Sequence, residues 1–150
     1  MRRLNVGAIT VVALAVVAVL AGCATTSGGV PGQVKRALEQ AGSAVSTSAL
    51  AITQFQDDQV TGAVAETALD DSLRELTDAD SQVAELTVSS GLEHELRADA
   101  LAAVRDAIDA VELARSEVAG LTGIDPADPR ATAALETAEG GLDHLVERLP

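Results

Sequence analysis

The chain has 150 residues and a formal net charge of −13, from 10 basic and 23 acidic side chains. A surface this acidic repels phosphate backbones, which argues against nucleic acid as a partner, and it disfavours spreading on anionic lipid. With one Phe and no Trp or Tyr, the core must be built from Leu, Val, Ile and Ala. The single cysteine excludes an internal disulfide.

The first residues have the three parts of an export signal in order. Arg2 and Arg3 precede a run that is apolar over 4–20 apart from two polar residues, and the run ends on Leu20-Ala21-Gly22-Cys23. This arrangement resembles a bacterial lipoprotein precursor, in which a lipobox of one Leu, two small residues and a Cys marks the point of cleavage and acylation. The resemblance covers residues 1–24. It implies a signal peptide over 1–22, cleavage between Gly22 and Cys23, and acyl chains such as palmitate on Cys23.

Two alternatives exist for this segment. A retained transmembrane anchor needs about 20 apolar residues, whereas this run is shorter and ends on Gly-Cys. Twin-arginine export is suggested by Arg2-Arg3, but the usual polar lead-in and following aromatic residue are missing. We therefore predict general secretory export to the outer face of the cell membrane. Two or more acyl chains would make that attachment stable, since one chain binds only marginally.

Residues 23–30 are predicted to be the lipidated cysteine and a flexible tether of small residues, and residues 31–150 the folded domain. Cleavage before Cys23 would leave 128 residues, enough for one domain, with 8 basic and 23 acidic side chains. The mature protein would then have a formal charge near −15.

Apolar or small residues at alternating spacings of four and three predict helices over 31–56 and 62–88. The first seam consists of Val34, Leu38, Ala41, Val45, Ser48, Ile52 and Phe55, and the second of Ala65, Leu69, Ser72, Leu76, Ala79, Val83 and Leu86. Pro31 suits the first helical position, and Thr61 is a candidate N-cap. The seams differ in register, which predicts a turn near 57–61; a continuous or kinked helix is the alternative. Asp70 and Arg74 have the spacing of an i,i+4 ion pair.

Two further helices are predicted over 91–119 and 129–149. Ser90 and Glu93 form a capping box at the start of the third helix, and Asp128 is expected to cap the fourth, with Pro129 at its first position. The third helix should bury Leu96, Leu101, Val104, Ile108, Val111 and Val118, with alanines 100, 103, 107 and 110 flanking that stripe. The fourth seam consists of Ala131, Leu135, Ala138, Leu142, Leu145 and Leu149, and Gly140-Gly141 is a weak point within it.

Four amphipathic helices with three short connections predict an all-α fold, an antiparallel four-helix bundle. Two long hairpins that dimerise are the structural alternative.

No phosphate-binding loop, His-Glu-x-x-His or Cys-x-x-Cys motif occurs in the sequence. His94 lies between two glutamates and His144 follows an aspartate, but neighbours in sequence point to different sides of a helix, so we interpret both as surface residues. If the third and fourth helices turn near Ile124, His144 lies level with Val104, roughly 15 Å along the bundle from His94. Asp125 and Asp128 lack the ligand number of a calcium loop.

The hydroxyls of the first helix have no base in reach, and the acidic face of the second is typical of a solvated surface. We therefore predict no catalytic residue, no metal site and no cofactor. The predicted function is that of a lipid-anchored, non-enzymatic interaction module of the cell envelope. Its partners would be the membrane, through the lipid on Cys23, and an envelope protein or a second copy. The alternative is a carrier that holds a small apolar or lipid ligand in the bundle core.

Overall fold

The computed structural model describes residues 28–120 and 129–149, and within these two ranges the chain forms four α-helices. We call them α1 (Gly29–Gln56), α2 (Gly62–Ala84), α3 (Gly91–Val118) and α4 (Arg130–Arg148). Their bounds agree with the predicted ones within one or two residues, except that α2 ends four residues early. Helix α1 also takes up the last two residues of the predicted tether, so Pro31 is the third helical residue rather than the first.

The helices form an antiparallel bundle, as predicted. Each helix contacts its two neighbours in the cyclic order α1, α2, α3 and α4, and α1 also contacts α3 across the diagonal. Two ion pairs show that α3 runs antiparallel to α2. Asp70 pairs with Arg115 at 2.7 Å and Asp80 with Arg105 at 3.0 Å, so ten residues forward on one helix correspond to ten residues backward on the other. One chain by itself completes the four-helix arrangement.

The turn between α1 and α2 lies where the change of register predicts it, and the alternative of one continuous helix is wrong. Asp58 has a φ of 55°, a left-handed conformation that ends the helical path. The Gln59 N–H donates to the Gln54 carbonyl at 2.8 Å, which closes the turn. Thr61 is the N-cap residue of α2 with extended backbone, although its hydroxyl makes no capping hydrogen bond.

The capping box at the start of α3 is confirmed. The Glu93 N–H donates to Ser90 Oγ at 3.2 Å, and the Glu93 carboxylate accepts from the Ser90 N–H at 3.0 Å. The same carboxylate accepts from the Ser89 N–H at 2.8 Å and from its hydroxyl at 2.9 Å. Led by the Ser89 N–H bond, these contacts hold the pKa of Glu93 below its ordinary value of 4.5. At α4, Pro129 is the N-cap residue rather than the first helical one, and Asp128 lies outside the described residues.

The predicted seams of α1, α2 and α4 form most of the core. All six positions from Ala65 to Val83 in the α2 seam are buried, as are the α1 positions from Val34 to Ile52. Phe55, Leu86, Leu145 and Leu149 are only partly buried, because they lie at helix ends. Twelve of the 23 buried hydrophobic residues in the described ranges are alanines, so the core depends on close approach of the helices rather than on large side chains.

The predicted stripe of α3 is wrong in part. Val104 and Val111 are buried, but Leu96, Leu101, Ile108 and Val118 are only partly buried. The fully buried positions are instead Ala100, Val104, Ala107, Val111 and Ala114, a stripe whose mean direction is rotated by roughly 30° at 100° per residue. Alanines on this face allow α3 to approach its neighbours closely, including α1 across the diagonal, where leucines would hold the helices apart. Leu101 and Ile108 share the side of Arg105, which faces α2.

The predicted ion pair within α2 is also wrong. Arg74 pairs with Asp71 instead of Asp70, and Asp70 pairs with Arg115 on α3. The i,i+3 and i,i+4 spacings were both available to Arg74. The choice depends on the arginine that α3 places beside Asp70.

The two ends of the bundle are composed of different helix termini. At the end that we call proximal, Gln33 and Arg36 of α1 lie beside Gln82 and Glu85, and the Arg97 guanidinium of α3 donates to the Leu86 carbonyl at 3.2 Å. The carboxyl end of α4 meets the start of α3 here as well. At the distal end, a Cβ on Gly62 would lie 3.6 Å from Phe55 and 3.8 Å from Val118. The start of α1 therefore belongs to the proximal end.

Candidate binding groove

An open groove of about 520 Å³ runs along the surface between α3 and α4. It is lined by Ala103, Asp106, Asp109, Ala110 and Leu113 from α3 and by Ala133, Ala134, Thr137, Ala138 and Gly141 from α4. Its volume is within the range of about 300–1,000 Å³ that is common for small-molecule sites. It lies at the surface and not along the bundle axis, so any ligand held here would lie outside the core.

The groove exists because both helices present small residues at this seam. Ala103 and Ala110 of α3 face Ala134, Ala138 and Gly141 of α4. On its other side, α3 carries Leu101 and Ile108 together with the arginines that pair with α2, so that seam is filled. The groove was not predicted from the sequence. The signal was the coincidence of small residues on two helices, which becomes informative only once those helices are known to be neighbours.

The charged side chains that line the groove are both acidic. Asp106 and Asp109 lie at its edge, and neither forms an ion pair with a described residue. Arg105 and Arg115 of α3 pair with α2 instead. The groove therefore suits an apolar body with a neutral or cationic polar group, and it disfavours an anionic head.

The two histidines lie on the surface. His94 is exposed in the first turn of α3 and His144 is exposed in the last turns of α4. Leu92 and Leu96 line a crevice together with Leu145, so His144 lies closer to His94 along the bundle than the predicted register placed it. In the described part of the chain, no group of three or more His, Cys, Asp or Glu side chains is placed to hold a metal ion.

The hydroxyls of α1 bond mainly to their own helix. The hydroxyls of Thr47, Ser48 and Thr53 donate to the carbonyls four residues before them at 2.8–2.9 Å. Ser46 donates to the Glu139 carboxylate of α4. These hydroxyls support helix geometry and packing, and the structure brings neither histidine beside them as a base.

Glu117 is a buried charged residue that sequence analysis did not single out. It is 4% exposed and lies in the last turn of α3, next to the half-buried Val118. Its spacing from Ala110 and Ala114 continues the buried alanine stripe to the distal end. We interpret it as part of the packing of that end, since a carboxylate this enclosed is costly to place unless polar groups match it.

No protein-family model, characterised protein or solved structure matches this chain. The predicted processing and lipidation residues, Gly22 and Cys23, lie outside the described residues, as do Asp125 and Asp128. None of the helices in the two described ranges combines the length and the apolar character needed to cross a bilayer.

Proposed function

We propose that this protein is a lipoprotein of the bacterial cell envelope. It is exported, cleaved between Gly22 and Cys23, acylated on Cys23 and held on the outer face of the cell membrane. The observation that carries the proposal is Leu20-Ala21-Gly22-Cys23 at the end of an apolar run that begins with two arginines. The position of the bundle supports it, because the first described helix begins at Gly29, six residues after Cys23, so cleavage would leave the bundle whole.

The role proposed for the bundle is interaction rather than catalysis. It would present its acidic, helical surface to another envelope protein or to a second copy. The exposed histidines and the hydroxyls bonded to helix carbonyls support this assignment, since none of them has the arrangement of a nucleophile and its base. Crosslinking of the native lipoprotein in its cells, followed by mass spectrometry of the crosslinked peptides, would identify the partner and the face of the bundle that it contacts.

The anchoring step is tested with Cys23→Ala. Wild-type protein grown with a fatty-acid analogue should become labelled and lose its first 22 residues. Cys23→Ala should remain unlabelled, because the thiol that accepts the acyl chain is gone. Thr25→Ala, two residues beyond the cysteine, is the matched control and should behave as wild type. Label on the Cys23→Ala protein would refute the assignment.

A second candidate function, a carrier of a small apolar ligand, is favoured by the groove between α3 and α4. It is tested with an alkylamine that bears an environment-sensitive fluorophore. Gly141 lines the groove and Gly140 does not, and a Cβ at either position meets nothing within 4 Å. A carrier should therefore lose binding in Gly141→Leu and keep it in Gly140→Leu. Equal binding by both variants would remove the groove as the site.

A further inference from the structure

The proximal end of the bundle carries an apolar surface at the start of α3 and the end of α4. Leu92 is 79% exposed, more than the other exposed large hydrophobic residues in the described ranges, Leu50 at 58% and Val64 at 56%. It lines a crevice with three partly buried leucines, Leu96, Leu145 and Leu149, and the charged side chains of Glu95, Asp99 and Arg148 border the same crevice. We call the four leucines the leucine cluster. An exposed cluster of this kind at one end of an acidic domain indicates a surface that contacts something apolar.

The covalent path from Cys23 limits where this end can be. Five residues lead from Cys23 to Gly28, and a chain spans at most about 3.6 Å per residue, so Gly28 lies within about 18 Å of Cys23 in any conformation. Helix α3 has 28 residues and is therefore about 42 Å long at 1.5 Å per residue. An acyl chain on Cys23 would thus hold the proximal end close to the bilayer, while the distal end can lie well away from it.

We propose that the leucine cluster rests on the outer leaflet of the membrane to which Cys23 is anchored, with the bundle standing on its proximal end. This inference depends on the proposed acylation of Cys23. The occupant of the apolar surface is the bilayer, because the tether keeps that surface and the lipid together at high effective concentration. The anchor supplies the affinity, and the cluster determines which end of the bundle faces the membrane.

The charges near the tether fit this orientation. The first ten residues of α1, over 29–38, include Lys35 and Arg36 and no carboxylate. Neither of these two residues forms an ion pair with a described residue, so the start of α1 carries positive charge that no carboxylate neutralises at ion-pair distance. The other three helix ends at the proximal end carry more acidic than basic residues, among them Glu95 and Glu147. Contact should therefore be closer on zwitterionic than on anionic vesicles at low salt.

The test uses single fluorescent labels on the lipidated protein in phosphatidylcholine vesicles. Because Cys23 is the only cysteine and acylation removes its thiol, a thiol-reactive fluorophore should label only an introduced cysteine. His94→Cys places the label on an exposed residue in the first turn of α3, at the proximal end, and Val64→Cys places it on an exposed residue at the start of α2, at the distal end. Nitroxide-bearing lipids then report which label lies near the bilayer.

We expect quenching at position 94 to be several times stronger than at position 64. Leu92→Asp should remove most of the difference, and since Leu92 is largely exposed, the variant should keep the melting temperature of the parent. Equal quenching at the two positions, or quenching at 94 that Leu92→Asp leaves unchanged, would overturn the inference.

Failure of the underlying acylation gives a different result. The parent protein, with no introduced cysteine, would then react with the fluorophore at Cys23 and would not float with the vesicles. A parent protein that floats and takes up no label, combined with no quenching at position 94, would refute the membrane contact alone.

Discussion

Replacing Gly140 and Gly141 of α4 with alanine should stabilise the protein. Both glycines lie inside the helix, both are exposed, and neither has a positive φ. A Cβ built at either position meets nothing within 4 Å, so the added methyl group creates no clash. The free energy of unfolding should rise by about 0.4–1 kcal/mol for each substitution. The increase comes from the higher helix propensity of alanine and from the reduced conformational freedom of the unfolded chain.

The double variant should therefore be more stable by about 1–2 kcal/mol, which corresponds to a rise of roughly 3–8 °C in melting temperature for a domain of this size. Thermal and urea unfolding followed by circular dichroism measure both quantities. The urea m-value should not change, because the same surface is exposed on unfolding.

Gly120→Ala is the matched control, since the same substitution should have the opposite sign there. Gly120 follows the C-cap of α3 with a φ of +67°, a left-handed conformation that costs alanine roughly 1–2 kcal/mol. A loss of stability in Gly140→Ala or Gly141→Ala, or a gain in Gly120→Ala, would refute the reasoning.

Three further predictions concern the core, the α3 cap and the histidines. Leu135→Ala should cost about 2–5 kcal/mol of unfolding free energy because Leu135 is fully buried, and Ile108→Ala only about 1–2 kcal/mol because Ile108 is half-buried. The pKa of Glu93 is lowered in the folded protein, so its carboxylate contributes its full stability above the ordinary pKa of 4.5. That contribution is lost as the pH falls through the folded-state pKa. Wild type should therefore lose stability relative to Glu93→Gln below about pH 4.5. Zinc in modest excess should neither raise the melting temperature nor bind stoichiometrically, since no three His, Cys, Asp or Glu side chains of the described residues are grouped to hold an ion.

Each of these predictions has an opposing result. An equal cost for Ile108→Ala and Leu135→Ala would show that the stripe of larger residues on α3 is the core after all. Parallel pH profiles for wild type and Glu93→Gln would show that the capping box does not favour the charged carboxylate. One-to-one zinc binding that is lost in both His94→Ala and His144→Ala would show that the two imidazoles share a site.

Hydrophobic spacing and capping motifs in the sequence were sufficient to predict the four helices and most of the core residues. In α2 the four-three spacing from Ala65 to Val83 selects one face without ambiguity, because charged residues occupy the opposite face and only one apolar stripe exists. The capping box at Ser90 depends on residues three positions apart and needs nothing from the rest of the fold. The turn after α1 follows from the break between two seams.

Contacts between helices decided which face of α3 is buried, which arginine pairs with Asp70, and where the groove and the leucine cluster form. Helix α3 carries two adjacent stripes with similar periodicity, one of alanines and one of larger residues, and the packing of the other three helices around α3 selects the alanines for burial. Asp70 could bond to Arg74 by spacing alone, but α3 places Arg115 beside it. The groove needs small residues on α3 and α4 to meet, and the leucine cluster needs the start of α3 to lie beside the end of α4. Periodicity determines the faces of a helix, whereas the neighbours of each face depend on how the whole chain packs.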